Sequence, residues 1–392
     1  MKKIGILTLV FQNYGTRLQS YALCKAIEKI CPKSISFEVI DMEGIWETKF
    51  IDRKKLFIKS IFRYRFQSII YIFNLIRWKI QNRNLNKNDN SEIWGKRGKK
   101  FNNLIAKIPY SEKKYTCAEL RNGVLNSYDE ILVGSDQVWN GIKVRCQDIY
   151  MLDCFKKKGY TYAASFGMTS IPPEMRNDYQ RRINNFNSLL IREEEGIDLC
   201  KSLGRTDAQY VLDPTLLLKS EEYDEIIGTE PLVTGDYILV YSLNFSYKIY
   251  NQAYKLAKRN NCKMVVLKRS ICPPNINKYP GAIELFAVSP EGFLQLIKNA
   301  KCVITNSYHA LLFSINFNKN FYLYLDNCDE ENSRLLTLTR QCNLNDRVFW
   351  ETGSLPQKIE NIDFTYSNKK ISELREQSIQ LLQNTLNKML LS

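Results

Sequence analysis

The chain carries a single histidine, His309, set in Thr305-Asn306-Ser307-Tyr308-His309-Ala310. Imidazole titrates near neutrality and so suits proton transfer. His309 follows the apolar run Cys302 to Thr305 and opens a run of helical character. That places it at a strand-to-helix junction, where backbone N–H groups gather and favour an anion. Three other strand ends carry small and polar clusters: Phe11-Gln12-Asn13-Tyr14-Gly15-Thr16-Arg17, Gly134-Ser135-Asp136-Gln137-Val138-Trp139-Asn140, and Asp213-Pro214-Thr215. In an open α/β sheet, ligands bind beyond the carboxyl ends of strands, so these clusters are the candidate site. Arg17, Lys268, Arg269 and Arg334 supply cations suited to a carboxylate or phosphate, arginine through its planar fork.

Each residue also has a plainer reading. Asn13 and Gly15 fit a turn and helix cap. Asp136 caps a helix as readily as it binds a hydroxyl, and Asp213 before Pro214 suits a turn. Lys268 and Arg269 fit a solvated surface, and His309 fits a satisfied structural role. No Gly-x-Gly-x-x-Gly or P-loop lysine is present. One histidine argues against a His-rich metal site, a His-x-x-x-His peptidase motif and a C2H2 finger, and no metal or cofactor is expected.

The elements that must hold these clusters follow from apolar periodicity. A strand at 4–10, a helix at 14–30 and a strand at 37–40 open the chain. Apolar runs at 131–133 and 161–165 and a helix over 176–190 follow. A second alternation has strands at 237–241, 263–267, 302–305 and 321–325, with helices at 247–259, 290–299 and 309–317. An amphipathic helix closes the chain. The expected fold is α/β, with two Rossmann-like domains: 1–218, carrying a basic helical insertion at about 51–115, and 219–350. A helical segment, 351–392, braces them.

Composition agrees with a folded chain of two domains: 392 residues, 44% apolar and 25% charged. The formal net charge is +15, and residues 51 to 100 supply most of it, with 14 Lys/Arg against Asp52, Asp89 and Glu92. That segment interleaves bases with aromatic and aliphatic residues. It fits a helical hairpin with a solvated basic face, or one lying on an anionic membrane surface. No zinc finger, RNP motif or Gly-x-x-Gly clamp accompanies the charge, so no nucleic-acid partner is expected. The apolar run after Lys2-Lys3 is too brief, and lacks the cleavage site, for a signal peptide. The 11 cysteines are odd in number and include no Cys-x-x-Cys, which points to reduced thiols and a cytoplasmic location.

Taken in order, the motifs resemble those of the polysaccharide pyruvyltransferase family. The resemblance runs through Ile4 to Leu9 with Asn13-Tyr14-Gly15 and Leu18-Gln19-Ser20-Tyr21-Ala22-Leu23, then Val133 to Asn140 and Tyr162-Ala163-Ala164-Ser165-Phe166-Gly167. It continues through Val211 to Leu217, Ser289-Pro290-Glu291-Gly292-Phe293 and Val303 to His309, and closes on Asn332-Ser333-Arg334. The basic segment lies outside it. The resemblance implies a GT-B-like pair of domains across an interdomain cleft, with phosphoenolpyruvate as donor. The product is a cyclic pyruvate ketal on two hydroxyls of one sugar, and phosphate is released. It further implies a lipid-linked oligosaccharide acceptor at the cytoplasmic face of the membrane. Carried over, His309 and Asp136 are the catalytic candidates. The substrate-binding candidates are Asn13, Tyr14, Gly15, Arg17, Ser135, Gln137, Asn140, Asp213, Lys268, Arg269, Asn306, Ser307 and Arg334. Two departures stand out: Tyr308-His309-Ala310 where the family usually has Phe-His-Gly, and Arg17 where a small or amide residue is commoner. The alternatives are a GT-B glycosyltransferase using a nucleotide sugar, and a non-catalytic glycan-binding or membrane-associated protein.

Overall fold

The computed structural model describes residues 1–42, 87–142, 144, 146–243, 247–268, 276–325 and 329–392. Most of the basic segment and Arg269 therefore lie outside the described residues. Two parallel sheets organise the chain. The first is ordered β2-β1-β3-β4-β5, with β1 Lys2–Leu7, β2 Ile35–Val39, β3 Glu130–Val133, β4 Gly159–Thr161 and β5 Phe186–Ser188. A short parallel pair, β6 Leu190–Ile191 and β7 Gln209–Tyr210, extends it through a bridge from Ala164 to Ile191. The second sheet is ordered β10-β9-β8-β11-β12-β13, with β8 Tyr237–Tyr241, β9 Lys263–Leu267, β10 Ile283–Leu285, β11 Cys302–Thr305, β12 Phe321–Leu325 and β13 Val348–Trp350. Helices cover both faces of a parallel sheet, so central strands read as unbroken apolar runs. Ile131-Leu132-Val133, Tyr237 to Tyr241 and Phe321 to Leu325 are buried throughout.

The order of each sheet reverses at one point, between β1 and β3 in the first and between β8 and β11 in the second. Crevices open at such reversals. The first three long helices among the described residues are α1 Tyr14–Ile30, which starts at the first crevice, α2 Lys87–Ile105 and α3 Pro173–Arg182. The expected helix over 176–190 ends at Arg182. Phe186 onward is drawn into β5, which pairs with β4 across a register shift, and into β6, which pairs with β7. The apolar run at 161–165 is likewise only partly strand. β4 stops at Thr161, and Ala163 turns with φ +52°.

The other helices of nine or more residues among the described residues are α4 Glu194–Ser202, α5 Tyr247–Arg259, α6 Pro290–Asn299, α7 Tyr308–Asn316, α8 Asp329–Gln341 and α9 Thr365–Leu391. α9 spans the two units. Ser367 donates to the Cys342 carbonyl near its start. Further along, Ser378 accepts from the Leu212 N–H and Arg375 donates to the Leu216 carbonyl. At its end, the Met389 carbonyl accepts from Lys2. An aromatic stack also joins the units. Tyr14 lies flat on Phe293 of α6 (4.7 Å, 4°) and near-parallel to Phe101 of α2 (5.4 Å, 22°), and its hydroxyl donates to the Val288 carbonyl. Arg97 of α2 lies over the same Tyr14 ring. All nine described cysteines are free thiols. No helix among the described residues is long and apolar enough to cross a membrane.

Candidate active site

Five chain segments meet where the two crevices face each other. After β1, Asn13 caps α1 by accepting from the Gly15 N–H, which fixes the first turn of that helix. After β3, Gly134 has φ +119° and no room for a Cβ, which would stand 2.2 Å from the Tyr162 carbonyl oxygen. The chain then turns through Asp136 at φ +74°, a conformation that costs a non-glycine residue roughly 1–3 kcal/mol. It is held there by hydrogen bonds. The Asp136 carbonyl accepts from the Val138 and Ser165 N–H groups, and its carboxylate accepts from Thr16 Oγ1 (3.0 Å) and the Gln137 N–H (2.8 Å). After β7, Asp213 caps a short 3-10 turn, accepting from Thr215 N (3.0 Å) and Oγ1 (2.8 Å) at one oxygen. After β11, Ser307 precedes α7, and no side chain caps that helix. After β6 comes Arg192, whose side chain is wholly buried.

Arg192 ties these segments together. It donates to Asp213 Oδ2 at 2.6 Å and to Asp136 Oδ1 at 3.4 Å. Its guanidinium carbon stands 4.9 Å from the centre of the Tyr308 ring, and that of Arg334 stands 5.1 Å from the same ring. Burial alone lowers the Arg192 pKa, but Asp213, Tyr308, Asp136 and Glu193 outweigh it and raise it. Arg334 fares differently. Burial, then Arg192, pull it below its ordinary value, with Glu193, Asp136 and Tyr308 opposing. An arginine in that setting gains from an anion.

His309 faces this cluster. Its Nε2 lies 3.8 Å from Asp213 Oδ2 and makes no hydrogen bond. On its other side the ring abuts α1, where a Cβ on Gly15 would stand 2.0 Å from Nδ1. Burial lowers its pKa below 6.5 and is opposed by Asp213 and Asp136, while Arg192 and Arg334 add to the lowering. Burial therefore favours the neutral imidazole. Burial would push the Asp136 carboxyl up, but Arg192, His309, Arg334 and the Gln137 N–H together hold it below 3.8. The result is a buried polar cluster with an uncapped helix N-terminus, an arginine without a hydrogen-bonded carboxylate and an unbonded imidazole nitrogen. Groups of these kinds are suited to holding an anion and to moving a proton beside it.

His309, Asp136, Asp213, Arg334, Gly15 and Ser307 are thus brought together, with Ser135 and Asn13 on the adjoining turns. Several other expected residues are not. Tyr14 is fully buried in the aromatic stack, its hydroxyl spent on Val288. Arg17 turns to Tyr110, donating to its hydroxyl and lying over its ring. Asn140 clips two loops, donating to the Gly167 carbonyl and accepting from the Ile142 N–H. Lys268 pairs with Glu284 at 2.5 Å. The Asn306 amide oxygen accepts from the Leu243 N–H, and the Gln137 amide packs against Gly167. In all six the side chain serves packing or loop geometry. Ala310, where the family has glycine, is the third residue of α7, and a helical backbone suits alanine.

The sequence reading missed Arg192, Glu193, Thr16 and Tyr308. Glu193 is buried, and one of its oxygens accepts from the Phe166 and Gly167 N–H groups. The available signal was Arg192-Glu193 directly after the apolar Leu189-Leu190-Ile191, a strand end like the other four.

The family model described as polysaccharide pyruvyl transferase matches residues 13–329. Among solved structures, the chain is similar to UDP-GlcNAc 2-epimerase from Neisseria meningitidis bound to UDP-GlcNAc. The TM-score is 0.50 and the identity 9%, over 99% of this chain and 100% of that one. A structure from Listeria monocytogenes, described as a candidate UDP-N-acetylglucosamine 2-epimerase, gives a TM-score of 0.51 at 10% identity, over 99% of this chain and 91% of that one. No curated protein matches by sequence. These likenesses establish the fold as two α/β domains in a GT-B-like arrangement.

Proposed function

The chain belongs to the polysaccharide pyruvyl transferase family, and from that premise we propose that it transfers the enolpyruvyl unit of phosphoenolpyruvate to two hydroxyls of one sugar, forming a pyruvate ketal and releasing phosphate. Family and fold together support a transferase acting on a sugar. The finer reading is supported by Arg334 lying over the ring of Tyr308, the first residue of the uncapped α7, with the His309 ring edge-on to it at 5.6 Å. Phosphoenolpyruvate is small and carries both a carboxylate and a phosphate, so a buried arginine, a run of helix N–H groups and a group able to carry a proton must lie close together to hold it.

On this reading Arg334 and the α7 N–H groups hold the donor anion. Its charge beside His309 raises the pKa of an imidazole that is otherwise neutral, and so loads it with a proton. His309 delivers that proton to the donor methylene carbon. One sugar hydroxyl adds to the adjacent carbon, the second displaces phosphate there, and the two hydroxyl protons leave to base and phosphate. Asp136, its carboxylate held by Thr16 and the Gln137 N–H, orients a sugar hydroxyl. Arg192 and Asp213 set the imidazole's electrostatic surroundings. The residues ask for no metal or cofactor.

We further propose that the acceptor is a lipid-linked oligosaccharide and that the protein works at the cytoplasmic face of a membrane, held by the positive charge of residues 51–100. Co-sedimentation with anionic vesicles, reduced when Lys54, Lys55, Lys59, Arg63 and Arg65 are neutralised together, tests that part. A nucleotide-sugar glycosyltransferase is the second reading. The fold likeness favours it, since the Neisseria meningitidis structure holds UDP-GlcNAc. Incubating one sugar acceptor with phosphoenolpyruvate or with UDP-sugars separates the two. Donor-dependent product from either also disposes of a non-catalytic glycan-binding role.

A further inference from the structure

Arg334 reaches the site from α8, and α8 is fastened to α4 of the other unit. Along α8, Arg334, Thr337 and Gln341 are three and seven residues apart and share a face. That face meets the acidic start of α4, residues Glu193 to Glu195, turn by turn. Thr337, buried, donates to Glu195 at 3.2 Å. One turn on, Gln341 donates to Glu194 Oε1 at 2.8 Å and accepts from the Tyr210 hydroxyl at 3.0 Å. Arg340 donates to Glu194 Oε2 at 2.6 Å. In the other direction, Arg334 is the first residue of this face beyond Thr337. Among the described residues no hydrogen bond holds its guanidinium, which lies over the Tyr308 ring within the field of Glu193 and Asp136. Its depth in the site is therefore set by the position of α8, and α8 is fixed at its other end by α4.

We propose that Glu194 and Glu195, through Thr337, Arg340 and Gln341, are positioning residues that set the reach of Arg334 into the donor site. The proposal rests on the reading of Arg334 as the donor-anion ligand given above. The geometry favours positioning over bulk stability for two reasons. Arg340 and Glu194 are both about half exposed, so their pair adds little to folding. The contacts also join the two units beside the site rather than filling a core.

The test compares Thr337→Val, Glu195→Ala and Thr337→Ser, each alone and combined with Arg334→Ala, in steady-state kinetics with phosphoenolpyruvate and in crystal structures. A lost hydrogen bond at this position should raise KM for phosphoenolpyruvate about three- to tenfold in Thr337→Val and Glu195→Ala, with kcat within about twofold. Thr337→Ser, which keeps the hydroxyl, should restore KM. In the Arg334→Ala background the same changes should add nothing, because their effect runs through that side chain. An unchanged KM, or the same rise in the Arg334→Ala background, overturns the proposal. Should the wild-type protein not turn over phosphoenolpyruvate, the functional reading fails on its own. The positioning claim is then decided by the crystal structures: Arg334 displaced from the Tyr308 ring in Thr337→Val and Glu195→Ala upholds it, and Arg334 still seated there refutes it.

Discussion

Gly15 offers the sharpest mechanical test of the site. It lies in the first turn of α1 with an ordinary helical backbone, so Gly15→Ala asks nothing unusual of the main chain, and alanine is the better helix former by about 1 kcal/mol. The Asn13 cap survives, since it uses the residue 15 N–H. The new methyl would nevertheless stand 2.0 Å from His309 Nδ1, 2.3 Å from Cγ and 2.6 Å from Cε1, where ordinary contact begins at 3.4 Å. The imidazole must retreat by about 1.4 Å or α1 must tilt away; overpacking of this kind typically costs about 1–3 kcal/mol. Helix gain and packing loss partly cancel, so the urea midpoint should shift little. A displacement of about 1 Å in a reacting group costs on the order of 100-fold in rate, which is the fall in kcat expected here. Phosphate release from phosphoenolpyruvate, followed with the urea transition of the same preparation, gives both numbers. Near-normal kcat in a folded Gly15→Ala protein would remove His309 from the reaction centre.

Three further outcomes follow from the charge cluster. The folded pKa of His309 is lowered below the unfolded value of 6.5, so the unfolded chain takes up the proton first and stability falls as pH drops below about 6.5; His309→Asn should flatten that slope by up to about 1.4 kcal/mol per pH unit in a urea series from pH 7 to 5. Arg192→Met leaves Asp213 and Asp136 without their buried cation and should destabilise the fold by about 3–5 kcal/mol, and Arg192→Lys should not rescue it, because one ammonium cannot span both carboxylates as the fork does; wild-type stability in either variant contradicts the network. Lys268→Ala and Arg17→Ala should each leave KM for the donor within about threefold, since neither cation faces the site; a rise on the order of 100-fold would put that residue back in the donor pocket.

What the sequence disclosed, and what it hid, divides along physical lines. Central parallel strands announce themselves as apolar runs, and so β8, β9, β11 and β12 stand where periodicity placed them. Strand ends were legible too. Asn13, Asp136, Asp213 and His309 do converge, because each follows a strand beside a reversal of sheet order or its extension. Side-chain commitment was not legible. Tyr14, Arg17, Lys268, Asn140 and Asn306 have the right chemistry at the right ends, but Val288, Tyr110, Glu284, Gly167 and Leu243 claim them through contacts far apart in sequence. Arg192 was hidden for the opposite reason. β6 is two residues long, too short for any period to show, and the helical pattern before it ran on to Leu190. α8, with its buried Thr337 and Thr339, also lacks the continuous apolar stripe that marks a helix from sequence.

On the proposed function, His309, Arg334 and the start of α7 form the donor site for phosphoenolpyruvate. The most direct measurement is mass spectrometry of a lipid-linked sugar acceptor incubated with the wild-type protein and phosphoenolpyruvate, with phosphate release recorded alongside and His309→Ala as the paired variant. The expected result is an acceptor heavier by one pyruvate less one water, one phosphate released per acceptor modified, and neither product from His309→Ala. An acceptor unchanged by phosphoenolpyruvate but extended by a sugar residue from a UDP-sugar would contradict it.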